Sequence, residues 1–272
     1  MTSRLSGRVA LVTGAGRGLG AAHARMLAAA GAAVVVNDLS VTAAGDPDPD
    51  RDVAARTVAQ IRRAGGTAVA DWSDIAEFTG AQRAVDCALS AFGRLDIAVN
   101  NAGILSNTTL SELTSTELCR HLQVAVLGSA GIAKAALVPM RRQRYGRIVN
   151  TVSEAALRTG HHAGPAYAAA KSALWGLTMA LADETAGSGV TVNALSPGAL
   201  TRMSREHLAR AGQPIDLAPE HVSRVLLALV DESAADISGR VIHAAGTAVR
   251  EYRLQRTADT PLVARLVAAG FE

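Results

Sequence analysis

Cysteine is scarce in this chain, with two in 272 residues, and Cys87 and Cys119 share neither a CxxC nor a zinc-ligand spacing. A disulfide-stapled fold is excluded and no metal is implied; both are expected to be buried small hydrophobes in a reducing compartment. Aromatic residues make up only 3%, so the core must be filled by Ala, Val, Leu and Ile. Base-stacking platforms for nucleic acid have few residues to draw on, and no nucleic-acid partner is expected. Long apolar runs are missing too, since Leu27 to Val36 and Val124 to Ala133 reach about half of the roughly 20 residues a membrane span needs. No helix is expected to cross a bilayer. The apolar stretch after Arg4 and Arg8 stops at Gly14 without a signal-peptide core, and Gly270-Phe271-Glu272 is no targeting address, so a cytoplasmic location is the expectation. Charge is nearly balanced, 27 Lys+Arg against 24 Asp+Glu. The one dense basic run, Arg141, Arg142, Arg144 and Arg147, reads as a solvated helix end.

What is present is a large apolar fraction, 49% against 19% charged, enough for a sizeable core and too much for disorder. Short β-branched runs are predicted as strands at 9–13, 33–37, 67–71, 95–100, 147–152, 190–195 and 240–243. Their continuous hydrophobicity suits strands covered on both faces. Helical patterns alternate with them at 19–30, 51–64, 74–91, 116–142, 165–186 and 220–230, the fourth opening on a capping box of Thr114 and Glu117. The alternation predicts an α/β fold: a single-domain, Rossmann-like, doubly wound parallel sheet of about seven strands with helices on both faces over 1–272. The segment 45–50 reads as a surface loop.

After the first strand comes Thr13-Gly14-Ala15-Gly16-Arg17-Gly18-Leu19-Gly20 and then an Ala-rich helix. Glycines at 14, 18 and 20 can take positive φ and let backbone N–H groups approach a pyrophosphate at the helix N-terminus. Asp38 closes the second strand, 18 residues past Gly20, where a carboxylate can hold both ribose hydroxyls of NAD and repel a 2′-phosphate. NAD is therefore expected over NADP, although Arg17 inside the turn is a cation that could meet that phosphate. Asp71, at the end of the third strand, fits either an adenine contact or an N-cap.

Tyr167 and Lys171 stand four apart on a predicted helix, on one face. An adjacent ammonium and a positively charged nicotinamide both favour the phenolate, so Tyr167 could remove the proton of an alcohol as hydride leaves its carbon. Ser153, past the fifth strand, can hold the substrate oxygen.

With these residues in place, the chain resembles the short-chain dehydrogenase/reductase family over nearly its whole length. TGAGRGLG (13–20), NNAG (100–103), YAAAK (167–171) and the segment from Asn193 to Pro197-Gly198 carry the likeness. The resemblance implies Ser153, Tyr167 and Lys171 as the catalytic group. It implies cofactor contacts from Gly14, Arg17, Gly18, Leu19 and Gly20 in the turn, from Asp38, Asp71 and Trp72 at strand ends, and from Asn101, Ala102 and Gly103. Tyr167, Lys171, Pro197, Gly198 and Thr201 would complete the nicotinamide side. Dimers or tetramers through the helices at 116 and 165 are also implied.

One departure stands out. The family commonly carries VNxxG in the fourth long helix, its asparagine holding a proton-relay water; here the residues are Val124-Ala125-Val126-Leu127-Gly128. Ala125 leaves a path through water and backbone carbonyls, or through His121 one turn earlier. The simpler expectation for His121 is a partly exposed surface residue. Within the family, VVVNDL (34–39), IRRAGGTAVA (61–70), NNAGIL (100–105) and YGRI (145–148) resemble the dehydrogenase part of peroxisomal multifunctional β-oxidation enzymes, which act on 3-hydroxyacyl-CoA. The chain is expected to act without a hydratase domain. A lid at 198–218, with Leu200, Met203 and Leu208, would suit any bulky lipophilic alcohol or ketone, a hydroxysteroid included. Arg202, Arg205 and Arg210 read either as contacts for CoA phosphates or as solvated charges. A dinucleotide-binding sensor with little turnover is the competing expectation.

Overall fold

The apolar runs become strands because each is covered on both sides. In the computed structural model, which describes residues 4–50, 52–157, 163–201, 204, 216–255 and 265, the strands are β1 (Val9–Thr13), β2 (Ala33–Asn37), β3 (Thr67–Asp71) and β4 (Ile97–Asn100). They continue with β5 (Gly146–Thr151), β6 (Val190–Gly198), β7 (Val241–Ala245) and β8 (Ala248–Tyr252). They form one sheet in the order β3-β2-β1-β4-β5-β6-β7-β8. Seven run parallel, and β8 returns antiparallel to β7. The doubly wound parallel sheet is as expected, with one strand more than the roughly seven read from the sequence. Gly246, at φ +55°, turns the chain between β7 and β8, a short glycine hairpin whose pairing partner lies outside any parallel crossover unit.

Helices α1 (Gly18–Ala29) and α2 (Val53–Arg63) cover one face with α7 (Pro219–Val230). Leu27, Ile61 and Leu226 pack there on Ala10, Val12 and Val34. Helices α3 (Phe78–Phe92) and α5 (Gly128–Gln143) cover the other, bringing Val85, Ile132 and Met140 onto Val9, Leu11 and Ile148. Successive β1 residues therefore enter opposite cores, as a doubly covered strand requires. Helix α6 (Pro165–Glu184) lies beside α5 and packs Leu174 on Val152 and Ala194.

The helix expected over 116–142 is divided. Helix α4 (Ser115–Leu122) is followed by one π turn (Gln123–Leu127) and then α5. Thr114 caps α4 by accepting from Glu117 N (3.1 Å), but the Glu117 carboxylate takes the Ser106 hydroxyl, so the reciprocal half of the expected capping box is not made. By length and composition the continuous segment Ser115–Gln143 could cross a bilayer, contrary to the sequence expectation; here it spends its apolar face on the sheet, with Ile132, Ala136 and Met140 fully buried. Gly131 brings α5 close to α3, since a Cβ there would meet Ala81 at 2.8 Å.

Three surface expectations also change. Arg147 opens the expected fifth strand, but it is 2% exposed and not solvated, with its guanidinium 4.3 Å above the Tyr145 ring, while Arg141 and Arg142 do end α5. Cys119 is exposed and Cys87 half-buried, and both are free thiols. His121 is 3% exposed, with Nδ1 donating to the Glu117 carbonyl (2.9 Å), because its face of α4 turns toward α6 and not toward solvent.

Candidate active site

In the strand order, β1 leads outward to β2 on one side and is followed by β4 on the other, so the crossovers diverge above β1 and β4 and open a crevice at the strands' carboxyl ends. A cleft of about 1810 Å³ occupies that position. Its floor is the turn after β1. Gly14 and Gly18 have φ of +61° and +52°, as expected, whereas Gly20 is helical and is needed for a different reason: a Cβ there would overlap the Gly14 carbonyl. Gly16 is equally constrained, because a Cβ would collide with Val53 and Asp38. Asn101 fastens the turn to β4 by donating to the carbonyls of Thr13 (2.9 Å) and Gly14 (3.2 Å). Thr13 answers by accepting from the backbone of Asn101 and Ala102. Leu19, Ala102 and Gly103 complete this part of the wall.

Asp38 lies at the far side of the turn, its Oδ2 accepting from Gly16 N and its Oδ1 from Ser40 N, both at 2.8 Å. Two backbone donors hold the carboxylate in place at the cleft edge. Arg17 is held elsewhere, its guanidinium 2.5 Å from Asp48 and 3.0 Å from Asp50. The hydrogen bond to Asp48, assisted by both charges, holds its pKa above the ordinary arginine value. The acidic loop at 45–50 is thus the clamp for a cation of the cofactor turn as well as surface.

Ser153, Tyr167 and Lys171 meet in the same cleft. Lys171 is 4% exposed and donates from Nζ to the Thr151 carbonyl (2.7 Å), 5.8 Å from the Tyr167 ring centre. Burial lowers its pKa from 10.5 to about 8. Tyr167 shows the opposite direction from the one argued from its neighbour's charge: burial raises the phenol, and the hydrogen bond with Ser153 only partly offsets it. Ser153 Oγ also accepts from Ala155 N (3.2 Å), which fixes its turn. Gly103 in the loop after β4 lies against the lysine: a Cβ there would stand at ordinary contact distance, 3.4 Å, from Lys171 Nζ.

Pro197, Gly198 and Thr201 line the cleft as expected, with Thr201 N held by Ser204 Oγ (2.8 Å). Not every expected residue gathers there. Trp72 is 53% exposed and lies in a separate groove between α2 and β3, while the Asp71 carboxylate accepts from Asn37 (2.6 Å) and Ser73. Asn193 braces β6, donating to the Ile237 carbonyl and accepting from Arg240 N. Leu200 is half-exposed beside the cleft; Arg202, Met203, Arg205, Leu208 and Arg210 lie outside the described residues. Sequence reasoning missed Glu154, His243 and Arg250, which line the cleft, and Tyr252, whose hydroxyl donates to Glu154. The alternation of 248–252 after a glycine turn was the signal for the last two.

The sequence pattern of the short chain dehydrogenase family matches residues 8–211, from the start of the glycine-turn unit past α6. The chain belongs to that family. It is an oxidoreductase acting on CH–OH groups. The dehydrogenase is 35% identical over 254 residues to the peroxisomal hydratase-dehydrogenase-epimerase of Saccharomyces cerevisiae, covering 92% of this chain and 27% of that protein. To the peroxisomal multifunctional enzyme type 2 of Drosophila melanogaster it is 39% identical, covering 91% of this chain and 40% of the relative. The chain thus spans well under half the length of these relatives. A 3-oxoacyl-[acyl-carrier-protein] reductase of Synechocystis is 34% identical and matches over 89% of this chain and 97% of its own. The crystal structure of a short chain dehydrogenase from Mycobacterium avium superposes with a TM-score of 0.82 at 33% identity, covering 98% of this chain and 95% of that one.

Proposed function

We propose that this dehydrogenase uses NAD to interconvert a secondary alcohol and a ketone on a bulky lipophilic substrate, a 3-hydroxyacyl-CoA or a hydroxysteroid. The observation that carries the cofactor choice is the opposed arrangement of Asp38 and Arg17. The turn that excludes a Cβ at Gly14, Gly16 and Gly20 fits a pyrophosphate, and the fixed Asp38 carboxylate fits two ribose hydroxyls. A 2′-phosphate would meet that carboxylate, while the nearest cation is already neutralised by Asp48 and Asp50.

The dinucleotide, when bound, accepts or gives the hydride. Tyr167 takes the proton of the alcohol oxygen, and Ser153 orients that oxygen by hydrogen bonding. Because burial raises the phenol, the phenolate needs a positive neighbour, and Lys171 supplies one below its pKa of about 8. The same lysine can exchange its proton near neutrality, more readily than an exposed lysine. Exposed Leu127, closing the π turn, and Val138 on α5 support a homo-oligomer through that continuous segment. Purified protein titrated with NADH and NADPH tests the cofactor assignment: NADH should bind at least about tenfold more tightly, a difference of about 1.4 kcal/mol. Equal affinities would overturn it. Cofactor absorbance followed with 3-hydroxyacyl-CoA thioesters and hydroxysteroids tests the substrate, and turnover restricted to small polar alcohols would refute that part.

A further inference from the structure

The antiparallel strand β8 carries residues near the C-terminus back to the catalytic cleft. In its register Ala248 pairs with Ala245 and Arg250 with His243, so the side chains of Ala245 and His243 on β7 share a face with those of Ala248 and Arg250 on β8. All four line the cleft. Tyr252, on the same face, donates its hydroxyl to Glu154, the residue after Ser153, and meets the His243 ring edge-on at 6.0 Å. The hairpin is therefore tied directly to the turn that carries the catalytic serine.

Among the described residues, four cationic side chains line the cleft, and three are committed. Arg17 is held by Asp48 and Asp50, Arg120 by Asp46 and the Gly45 carbonyl, and Lys171 by the Thr151 carbonyl. Arg250 pairs with no carboxylate among the described residues. Its strand neighbour Glu251 projects from the opposite face and is occupied by Arg240 and Arg253. An exposed guanidinium on a cleft wall, with small Ala245 and Ala248 beside it, presents an unused fork suited to phosphate oxygens. A neutral hydroxysteroid offers nothing to that fork.

We propose that Arg250 is a specificity residue that binds the phosphates of an acyl-CoA substrate while the acyl chain reaches Ser153 and Tyr167. The inference rests on the dehydrogenase reading above and selects the thioester over the hydroxysteroid. The experiment compares wild type, Arg250→Ala and Arg250→Lys at saturating NAD, on 3-hydroxyhexanoyl-CoA and on the same acyl group carried by uncharged N-acetylcysteamine. Arg250→Ala should lose about tenfold in kcat/KM on the CoA thioester, through KM, as expected for a lost charge-assisted hydrogen bond. The loss should shrink at high salt, be smaller in Arg250→Lys, and be absent on the uncharged thioester. Unchanged kinetics on the CoA thioester, or equal losses on both thioesters, would overturn the assignment. Calorimetric titration of NAD-loaded protein with CoA separates the two levels. Hydroxysteroid oxidation by a wild type that binds no CoA defeats the role of Arg250 and leaves the dehydrogenase reading standing. If no secondary alcohol turns over, the dehydrogenase reading fails, and CoA binding lost in Arg250→Ala would still support the anion site.

Discussion

Replacing Lys171 with methionine isolates the cost of burying its charge. The ammonium sits 4% exposed with one backbone acceptor, and its pKa falls from 10.5 to about 8. A lowered pKa in a base means that the folded protein disfavors the protonated form. The resulting destabilisation is complete below about pH 8, relaxes as pH rises, and is gone above the unfolded value of 10.5. From the two pKa values the cost is about 3 kcal/mol at pH 7 and roughly half that at pH 9.5. Lys171→Met removes this pH-dependent part, and it also removes the bond to Thr151, a loss on the order of 1 kcal/mol that does not vary with pH.

The change at any one pH is a difference of these two contributions, whereas its slope comes from the titration alone. Urea unfolding of the cofactor-free protein should show the stability of Lys171→Met relative to wild type falling by about 2 kcal/mol between pH 7 and pH 9.5. Groups titrating in both proteins cancel in the comparison. A gap that stays constant across this range would mean that Lys171 titrates like an exposed lysine, and the account of its role as a proton-exchanging cation would fail.

Tyr167→Phe should lower kcat by at least about a hundredfold while NADH affinity, measured by calorimetry, stays within about twofold, because only the proton-accepting oxygen is lost. Wild-type turnover in this variant would refute the base assignment. Asp38→Ala should narrow the NADH over NADPH preference to within about threefold by removing the repulsion, as read by paired titrations. Gly20→Ala should weaken NADH binding by more than tenfold, roughly 1.4 kcal/mol or more, since the added Cβ forces the Gly14 carbonyl out of the turn; unchanged affinity would show that the turn can yield. In each case circular dichroism confirms that the variant remains folded.

The parts of this site that were legible in sequence are the parts coded locally. A glycine turn between a strand and a helix, an acid at the next strand end, and a tyrosine and lysine one helical turn apart are all short-range patterns, and the structure brings Gly14, Asp38, Ser153, Tyr167 and Lys171 into one cleft. What escaped depends on residues far apart in the chain. Arg17 is committed by Asp48 and Asp50, some thirty positions away, so its meaning for cofactor choice could not be read from the turn alone. Arg147 belongs to the charged run although it also opens the strand expected at 147–152, and β5 carries it inward against Tyr145. The π turn at 123–127 and the burial of His121 follow from packing on α6, to which a helical period is blind. Tyr167 is the sharpest case, because the neighbouring ammonium was legible and the burial that outweighs it was not.

The energetic account also bears on why Ala125 does not make this chain a passive nucleotide binder. Ala125 is 4% exposed in the π turn and packs with Val152, Ala170 and Leu174, so the position is filled by apolar contact. Against that adaptation, the fold still buries a charged lysine at a cost of about 3 kcal/mol at neutral pH, a large share of the 5–15 kcal/mol that typically separates folded from unfolded. Replacing Lys171 with an apolar residue would recover most of that stability, at the loss of the expected nicotinamide-side contact and of the cation beside Tyr167. Retaining it makes physical sense where a cation with a pKa of about 8 favours the Tyr167 phenolate and exchanges its proton near neutral pH. On the proposed mechanism, the missing asparagine would limit how the proton leaves and would leave the Ser153, Tyr167 and Lys171 chemistry intact.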